Sequence, residues 1–140
     1  MADTFEIEIA TPERLLWREQ AVRAQIPAKD GYIGVLPDHA PLLSILGAGV
    51  LTYTTQDNQH HIMAIQGGFV EILDNHVRVL PDKAEKASEI DVAKAEQELK
   101  DAEAAMINPE VGIDIAGALI AVDHARARID AANKQKTGEE

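Results

Sequence analysis

The chain has 140 residues, contains no cysteine and carries a formal net charge of −11, from 24 acidic and 13 basic side chains. This charge disfavours binding to nucleic acid, which needs a basic surface, and direct adhesion to anionic lipid. Without cysteine, neither a disulfide framework nor a thiolate zinc site can form. The N-terminal residues lack a basic start followed by an apolar run, so we expect no secretory signal and no membrane span.

The first residues predict short β-strands. Residues 5–9 alternate apolar and polar side chains with period two, which is typical of a half-buried strand. Two further short strands are expected at residues 15–17 and 22–26, the second of them stopped by Pro27. The β pattern then resumes at residues 33–35.

The stretch GYIGVLPDHAPLLSILGAG, residues 31–49, is the most distinctive part of the chain. Pro37 and Pro41 fix the backbone at two places, and the residue before each proline is pushed toward extended geometry. The other residues of this stretch are too apolar for a simple solvent-exposed loop. The sequence therefore predicts a stiff, shaped connection here.

The rest of the β part is predicted as strands joined by tight turns. The polar residues 56–59 form a hairpin turn, Gly67-Gly68 a corner or bulge, and Asp74-Asn75 a second hairpin turn. The strands are expected at residues 50–55, 60–66, 69–73 and 76–80. Many short strands at this spacing favour a β-sandwich or flattened barrel.

A compositional boundary lies near Pro81-Asp82. All five aromatic side chains precede it, and alanine becomes abundant after it. We therefore predict an all-β plus α protein in two parts. A β-sandwich domain occupies residues 1–84, and a C-terminal antiparallel two-helix hairpin occupies residues 85–140.

The helical part shows two apolar seams separated by a break at residues 108–112. The pattern Ser88-x-x-Asp91 predicts a capping box at the first helix. Small side chains limit the area that the seams bury, so the hairpin is expected to lean on the β part or on a partner. The seams are Val92, Ala95, Leu99, Ala102 and Met106 in the first helix, and Ile115, Ala118, Val122, Ala125, Ile129 and Ala132 in the second.

Three motifs suggest chemistry, and each has a structural alternative that we favour. Asp38 and His39 suggest an acid–base pair, but no nucleophile or metal motif accompanies them, so His39 is interpreted as bonding turn backbone. Gly67-Gly68 lacks the lysine and helix of a phosphate loop and is interpreted as a corner. A zinc site is disfavoured because adjacent strand residues point to opposite faces, and surface positions are expected for the histidines His60, His61, His76 and His124.

The charges of the helical part allow two interpretations. Glu96 with Lys100, and Arg126 with Asp130, have the i,i+4 spacing of ion pairs on a solvated helix face. Alternatively, the second helix presents a basic patch that seeks an acidic partner surface, formed by Arg126, Arg128, Lys134 and Lys136.

Three ordered blocks of the chain resemble the epsilon subunit of F-type ATP synthases, which is called delta in mitochondria. The first is the pattern Gly-x-x-Gly-x-Leu-Pro-x-His-Ala-Pro-Leu-Leu within residues 31–43. The second comprises the sequences GGFVE, residues 67–71, and NHVRVL, residues 75–80. The third is Ile90-Asp91 at the start of the alanine-rich part, so that the resemblance covers nearly the whole chain.

The resemblance implies a non-catalytic rotor subunit of the proton-translocating synthase, with no metal and no catalytic residue. Its β-sandwich would dock on the gamma subunit and the c-ring. Its helices would extend toward the catalytic alpha and beta subunits and block ATP hydrolysis, gripping them through Arg126 and Arg128. The implied location is the cytoplasmic face of the bacterial inner membrane, reached only through protein partners. The implied ring-facing residues are Tyr32, His39, Leu42, Leu43 and Ser44.

The resemblance also implies a regulatory ATP site in the hairpin, the only cofactor expected. It would use Ile90, Asp91 and Lys94 with Arg126 and Arg128, although Lys94 stands where the family motif has arginine. The alternative from another functional class is a free-standing ligand-binding β-sandwich with a helical dimerisation hairpin. An enzyme ranks third, since the chain offers no nucleophile motif, metal set or convincing carboxylate pair.

Overall fold

The computed structural model describes residues 2–107 and 114–138. In these ranges the strands come first and the helices last, which confirms the predicted fold class. No helix in them is long and apolar enough to cross a bilayer. The strands are β1 (Phe5–Ala10), β2 (Leu15–Ala28), β3 (Gly31–Val35), β4 (Leu42–Ile45), β5 (Gly49–Thr55), β6 (His60–Gln66), β7 (Phe69–Leu73), β8 (His76–Leu80) and β9 (Lys83–Lys86). The helices are α1 (Val92–Ile107) and α2 (Ile115–Thr137), preceded by a 3-10 turn at Ala87–Glu89.

The strands of the described ranges form one hydrogen-bonded path in the order β4-β7-β8-β1-β2-β5-β6-β9, with β3 paired to β2. β1 pairs with the first half of β2, whereas β5 and β3 pair with its second half. β2 therefore joins the two halves of the sandwich.

The prediction of two short strands in this region was wrong, because β2 runs through 14 residues without a break. Its register with β5 shifts between Ala21 and Arg23, and such a bulge bends a strand without ending it. Pro27 also stays inside the strand, where its carbonyl accepts a hydrogen bond from the Gly47 N–H at 3.1 Å.

The core lies between the two halves of the sheet. The alternation predicted for β1 is confirmed, since Phe5, Ile7 and Ile9 are at most 1% exposed. The remaining strands contribute inward aliphatic side chains and Tyr53 to the same cluster. The predicted turns are confirmed by positive φ angles of 69° at Gly67 and 83° at Gly68, and of 50° at Asp74 and 59° at Asn75.

The N-terminus of α1 differs from the prediction. The helix begins at Val92, and the Asp91 carboxylate caps it by accepting a hydrogen bond from the Lys94 N–H at 3.1 Å. Ser88 lies in the preceding 3-10 turn and does not open the helix. The predicted break at residues 108–112 lies outside the described residues.

The hairpin packs on the sandwich as well as on itself. Ala95 and Ala102 of α1 and Val122 and Ala125 of α2 are buried, as expected for the seams, whereas Ile115 at the far end is 53% exposed. A different face of α2 lies against β5 and β6. This contact is the anchor cluster, made of Val50, Ile62, Ala64, Ala87, Ala127 and Ala131 with Ile90 packed against it. β9 crosses the predicted domain boundary at residue 84, since it pairs with β6 as far as Lys86.

Candidate functional site

The outer face of β4 and β7 exposes an apolar strip, defined here as Leu43, Ile45, Phe69 and Leu73. The strands pair Leu43 with Glu71 and Ile45 with Phe69, and side chains alternate between faces along each strand. The four apolar side chains therefore share the outer face, with exposed fractions of 69%, 60%, 47% and 47%. A contiguous exposed apolar patch of this kind marks a binding surface.

The loop between β3 and β4 is tied to the β7–β8 turn. The Asp38 N–H donates to Asn75 Oδ1 at 2.6 Å, and Asn75 Nδ2 donates to Asp38 Oδ1 at 2.9 Å. The Ala2 N–H donates to Asp38 Oδ2 at 3.1 Å. The hydrogen bond from Asn75 is the main cause that lowers the pKa of the Asp38 carboxyl. The stiffness predicted for this connection thus has a specific source.

His39 does not form an acid–base pair with Asp38. Its Nδ1–H donates to the Ala40 carbonyl at 2.7 Å, while the Asp38 carboxylate is occupied by Asn75 and Ala2. The interpretation of His39 as a residue bonding turn backbone is confirmed.

The five residues predicted to face the ring do not form one cluster. Leu43 lies in the apolar strip, whereas its neighbours Leu42 and Ser44 are half-buried on the other face of β4. Tyr32 lies elsewhere, beside the C-terminal turns of α2, and its hydroxyl accepts the Val50 N–H at 3.0 Å. A Cβ at Gly49 would lie 2.7 Å from that hydroxyl, so the approach of Tyr32 requires glycine there.

A second candidate site holds the hairpin against the sandwich. Arg128 of α2 is 8% exposed and binds two carboxylates on different elements. Its Nε and Nη2 donate to both oxygens of Glu85 on β9, at 2.8 Å and 3.3 Å. Its Nη1 donates to Glu98 on α1 at 3.0 Å. One guanidinium therefore clamps three elements, and we call Glu85, Glu98 and Arg128 the arginine clamp.

Arg126 and Arg128, predicted to act together, are separated in this arrangement. Two residues apart on a helix correspond to about 200° of rotation, so the two side chains leave α2 on nearly opposite sides. Arg126 is exposed, and Arg128 is engaged in the clamp. Their shared role stays a prediction.

The other residues predicted for a nucleotide lie at the start of α1. Asp91 is used as the helix cap and Ile90 packs on the anchor cluster, while Lys94 is exposed. The structure places them apart from Arg126, which lines a surface depression with Ile107 and Leu119 near the other end of α1.

A cleft of about 520 Å³ opens beside the clamp, between the two helices and the edge of the sheet. It is lined by small apolar side chains and by a few polar ones, which are Gln66, Lys83, Glu98, Asp101 and His124. The pKa of His124 is lowered, first by partial burial and then by the positive charges of Lys83 and Arg128, which outweigh Glu85 and Glu98. Its Nδ1 is buried and has no hydrogen-bond partner among the described residues.

The other histidines are dispersed over the strands and their turns. The surface position expected for His124 was wrong, because the ring is half-buried between α2 and its neighbours. His60 bonds Thr54 and His61 stacks on Tyr53. His76 lies 3.3 Å from Glu6 and 3.5 Å from Glu8, a set with ligand atoms close enough for a metal ion. However, Arg18 binds Glu8 at 2.9 Å and is the main cause that lowers its pKa, and Arg78 lies 3.7 Å from it. These guanidinium groups already neutralise the carboxylates, so the set is better explained as an ion-pair network.

Sequence reasoning missed Glu85, Glu98 and His124 as site residues. In the sequence, Glu85 and Glu98 are two of many acidic residues and resemble ordinary surface carboxylates. Only the folded position of α2 gives them a common partner, Arg128. The apolar strip had a usable signal, because every second residue of β4 and β7 on the outward side is large and apolar except Glu71.

The strip and the clamp define a class of protein: a partner-binding β-sandwich that carries a docked helical hairpin. The sequence profile of the ATP synthase delta/epsilon chain β-sandwich domain matches residues 4–87, and that of the long α-helix domain matches residues 88–133. The chain belongs to the ATP synthase delta/epsilon family.

Curated relatives are similar over nearly the full chain. The ATP synthase epsilon chain of Solibacter usitatus is 51% identical over 135 residues, which cover 96% of this chain and 100% of that protein. That of Syntrophomonas wolfei is 41% identical, covering 94% and 96%. A chain in a cryo-EM structure of the Euglena gracilis mitochondrial ATP synthase, comprising OSCP, F1 and the c-ring, has the same fold, with a TM-score of 0.84 at 23% identity. The match covers 95% of this chain and 83% of that one.

Proposed function

We propose that the chain is the rotor subunit that joins the c-ring to gamma in a proton-translocating ATP synthase. Membership of the epsilon family makes it a non-catalytic subunit of that complex. The observation that carries the coupling role is the apolar strip, because a sandwich with its own complete core still exposes four large apolar side chains on one face. By this proposal the subunit sits peripherally at the cytoplasmic face of the bacterial inner membrane, through protein partners.

The tied β3–β4 loop supports the same role. A part that transmits torque between two larger bodies must not yield at its contact surface. The reciprocal hydrogen bonds between Asp38 and Asn75 fix this loop against the β7–β8 turn, at an end of the sheet half that carries the strip. Four residues that follow Asp38 in the chain are proposed to meet the ring: His39, Leu42, Leu43 and Ser44. Tyr32, which lies elsewhere, is proposed to make a separate contact with the ring.

The hairpin supplies regulation in this proposal. Docked as in the structure, it leaves ATP hydrolysis free. Released, it extends along gamma toward the alpha and beta subunits and blocks hydrolysis. Release also frees the Arg128 guanidinium from its carboxylates, so that Arg128 and Arg126, on opposite sides of α2, can each contact acidic segments of the catalytic subunits.

Removal of the hairpin tests this role. In the reconstituted complex, a chain ending at residue 87 keeps β9 and should still assemble, because the strip and the tied loop remain. ATP hydrolysis should rise relative to the full chain. Unchanged hydrolysis in an assembled complex contradicts the regulatory role, and replacement of strip residues without loss of assembly contradicts the coupling role.

Regulatory ATP binding is a second candidate, favoured by the cleft beside Arg128. In the docked hairpin a triphosphate would have to displace two carboxylates from that guanidinium. If Arg128 serves as a phosphate ligand, Glu85→Gln should bind ATP more tightly than the unmodified chain in isothermal titration. Equal or weaker binding by the variant contradicts a phosphate contact at Arg128.

A further inference from the structure

His124 lies where α2 meets both α1 and the edge of the sheet. It lies on α2, one helical turn before Arg128, and faces the cleft that α1 and the sheet edge complete. Across the cleft, Gln66 Nε2 of β6 donates to the Ile120 carbonyl of α2 at 3.2 Å. The cleft is therefore closed on the sheet side only while α2 is docked.

The charges that face His124 come from every element around the cleft. The sheet edge contributes Lys83 and Glu85, α1 contributes Glu98 and Asp101, and α2 itself contributes Arg128. Glu85 and Glu98 are already bound to the guanidinium of Arg128, so their charge is largely compensated. A proton on His124 would thus add a third positive charge next to Arg128 and Lys83 in a partly desolvated place.

We propose that protonation of His124 releases α2 from the sandwich, so that the docked hairpin is an acid-sensitive state. The proposal rests on the two-state hairpin described above and adds the group that controls it. In the docked state partial burial and the neighbouring cations keep the imidazole neutral. In the released state the ring is solvated and takes up a proton in the ordinary range.

The direction and size of the pH dependence of docking follow from proton linkage. Released His124 titrates near the ordinary histidine pKa of about 6.5, and the docked ring titrates below that value. Above pH 7 both states are neutral and docking is at full strength. As the pH falls below about 6.5, only the released state binds the proton, so the docking constant falls by at most about tenfold per pH unit. The decline ends once the docked ring also becomes protonated.

The experiment follows docking by energy transfer between two dyes on the full chain. The chain has no cysteine, so cysteines at the exposed positions Lys29 and Asn133 label the sandwich and α2 specifically. Transfer should fall between pH 7.5 and pH 5 in the unmodified background and equally in His39→Gln, whose histidine lies outside the hairpin. In His124→Gln it should be flat over this range. Equal slopes in His124→Gln and the background, or no change in any of them, overturn the proposal.

A second measurement covers the case in which His124→Gln no longer docks. In the otherwise unmodified chain, the His124 ring proton is followed by NMR from pH 8 to pH 5. A midpoint below the ordinary histidine value of about 6.5 supports the proposal, and a midpoint equal to that value or higher overturns it. Arg128→Ala separates this inference from its premise. If neither Arg128→Ala nor acid releases the hairpin, both the two-state premise and the inference fail, whereas release by Arg128→Ala but not by acid refutes the role of His124 alone.

Discussion

Replacement of Arg128 by alanine is the sharpest perturbation of the hairpin. The guanidinium is buried and makes three charge-assisted hydrogen bonds, so its loss leaves Glu85 and Glu98 without their common partner. Breaking a fully buried pair costs about 3–5 kcal/mol, but these carboxylates are 31% and 42% exposed and regain water. We therefore expect a loss of about 2 kcal/mol in docking free energy, or roughly 30-fold in the docking constant.

The assay is the same energy transfer between labels at positions 29 and 133, at pH 7.5. Arg126→Ala is the matched control, because it removes the same side chain from the solvent side of the same helix and should stay within about 0.5 kcal/mol of the unmodified chain. If the two variants release α2 to the same extent, or if neither does, the clamp is not what holds the hairpin and the reasoning is wrong.

Two further substitutions test the sandwich. Ile45→Asp in the apolar strip should weaken binding to a gamma-containing complex at least tenfold without lowering the melting temperature, as measured in a pull-down at matched concentrations. The control is Leu119→Asp, which changes an exposed apolar residue of α2 and should leave that binding intact. Equal losses of binding in the two variants would contradict the assignment of the strip. Gly68→Ala should destabilise the chain by about 2–4 kcal/mol in urea unfolding, because its φ is 83° and the new Cβ would lie 2.0 Å from the Leu80 carbonyl oxygen. Gly34→Ala, with open space and no positive φ, should have little effect, and a Gly68→Ala chain as stable as the Gly34→Ala chain would refute the requirement for glycine.

The strands and turns were predictable because their signals are local. Period-two alternation in β1 and the positive φ angles at Gly67 and Gly68 follow from properties of single residues and their neighbours. The length of β2 was not predictable in this way. Whether a polar interruption bends a strand or ends it depends on the partners on each side, and β2 has a different partner for each half.

The packing of α2 was only half predictable. Its seam toward α1 was expected at Val122 and Ala125, and both are buried. The contact with β5 and β6 uses Ala127 and Ala131, and alanine on several sides of a helix gives no signal of which side meets the sheet. Arg128 lies beside that contact. The sequence shows it only as one of several basic residues of the second helix, so it was predicted in a surface patch, whereas the fold buries it in the clamp.

The central claim is that docking of α2 on the sandwich controls ATP hydrolysis. It is tested most directly by joining cysteines at positions 66 and 120, which are in contact between the sheet and the docked α2, with a short bis-maleimide in the isolated chain and then reconstituting the ATPase complex. The account predicts that the cross-linked chain assembles and gives hydrolysis as high as the chain ending at residue 87. Hydrolysis held at the level of the uncross-linked full chain would contradict it.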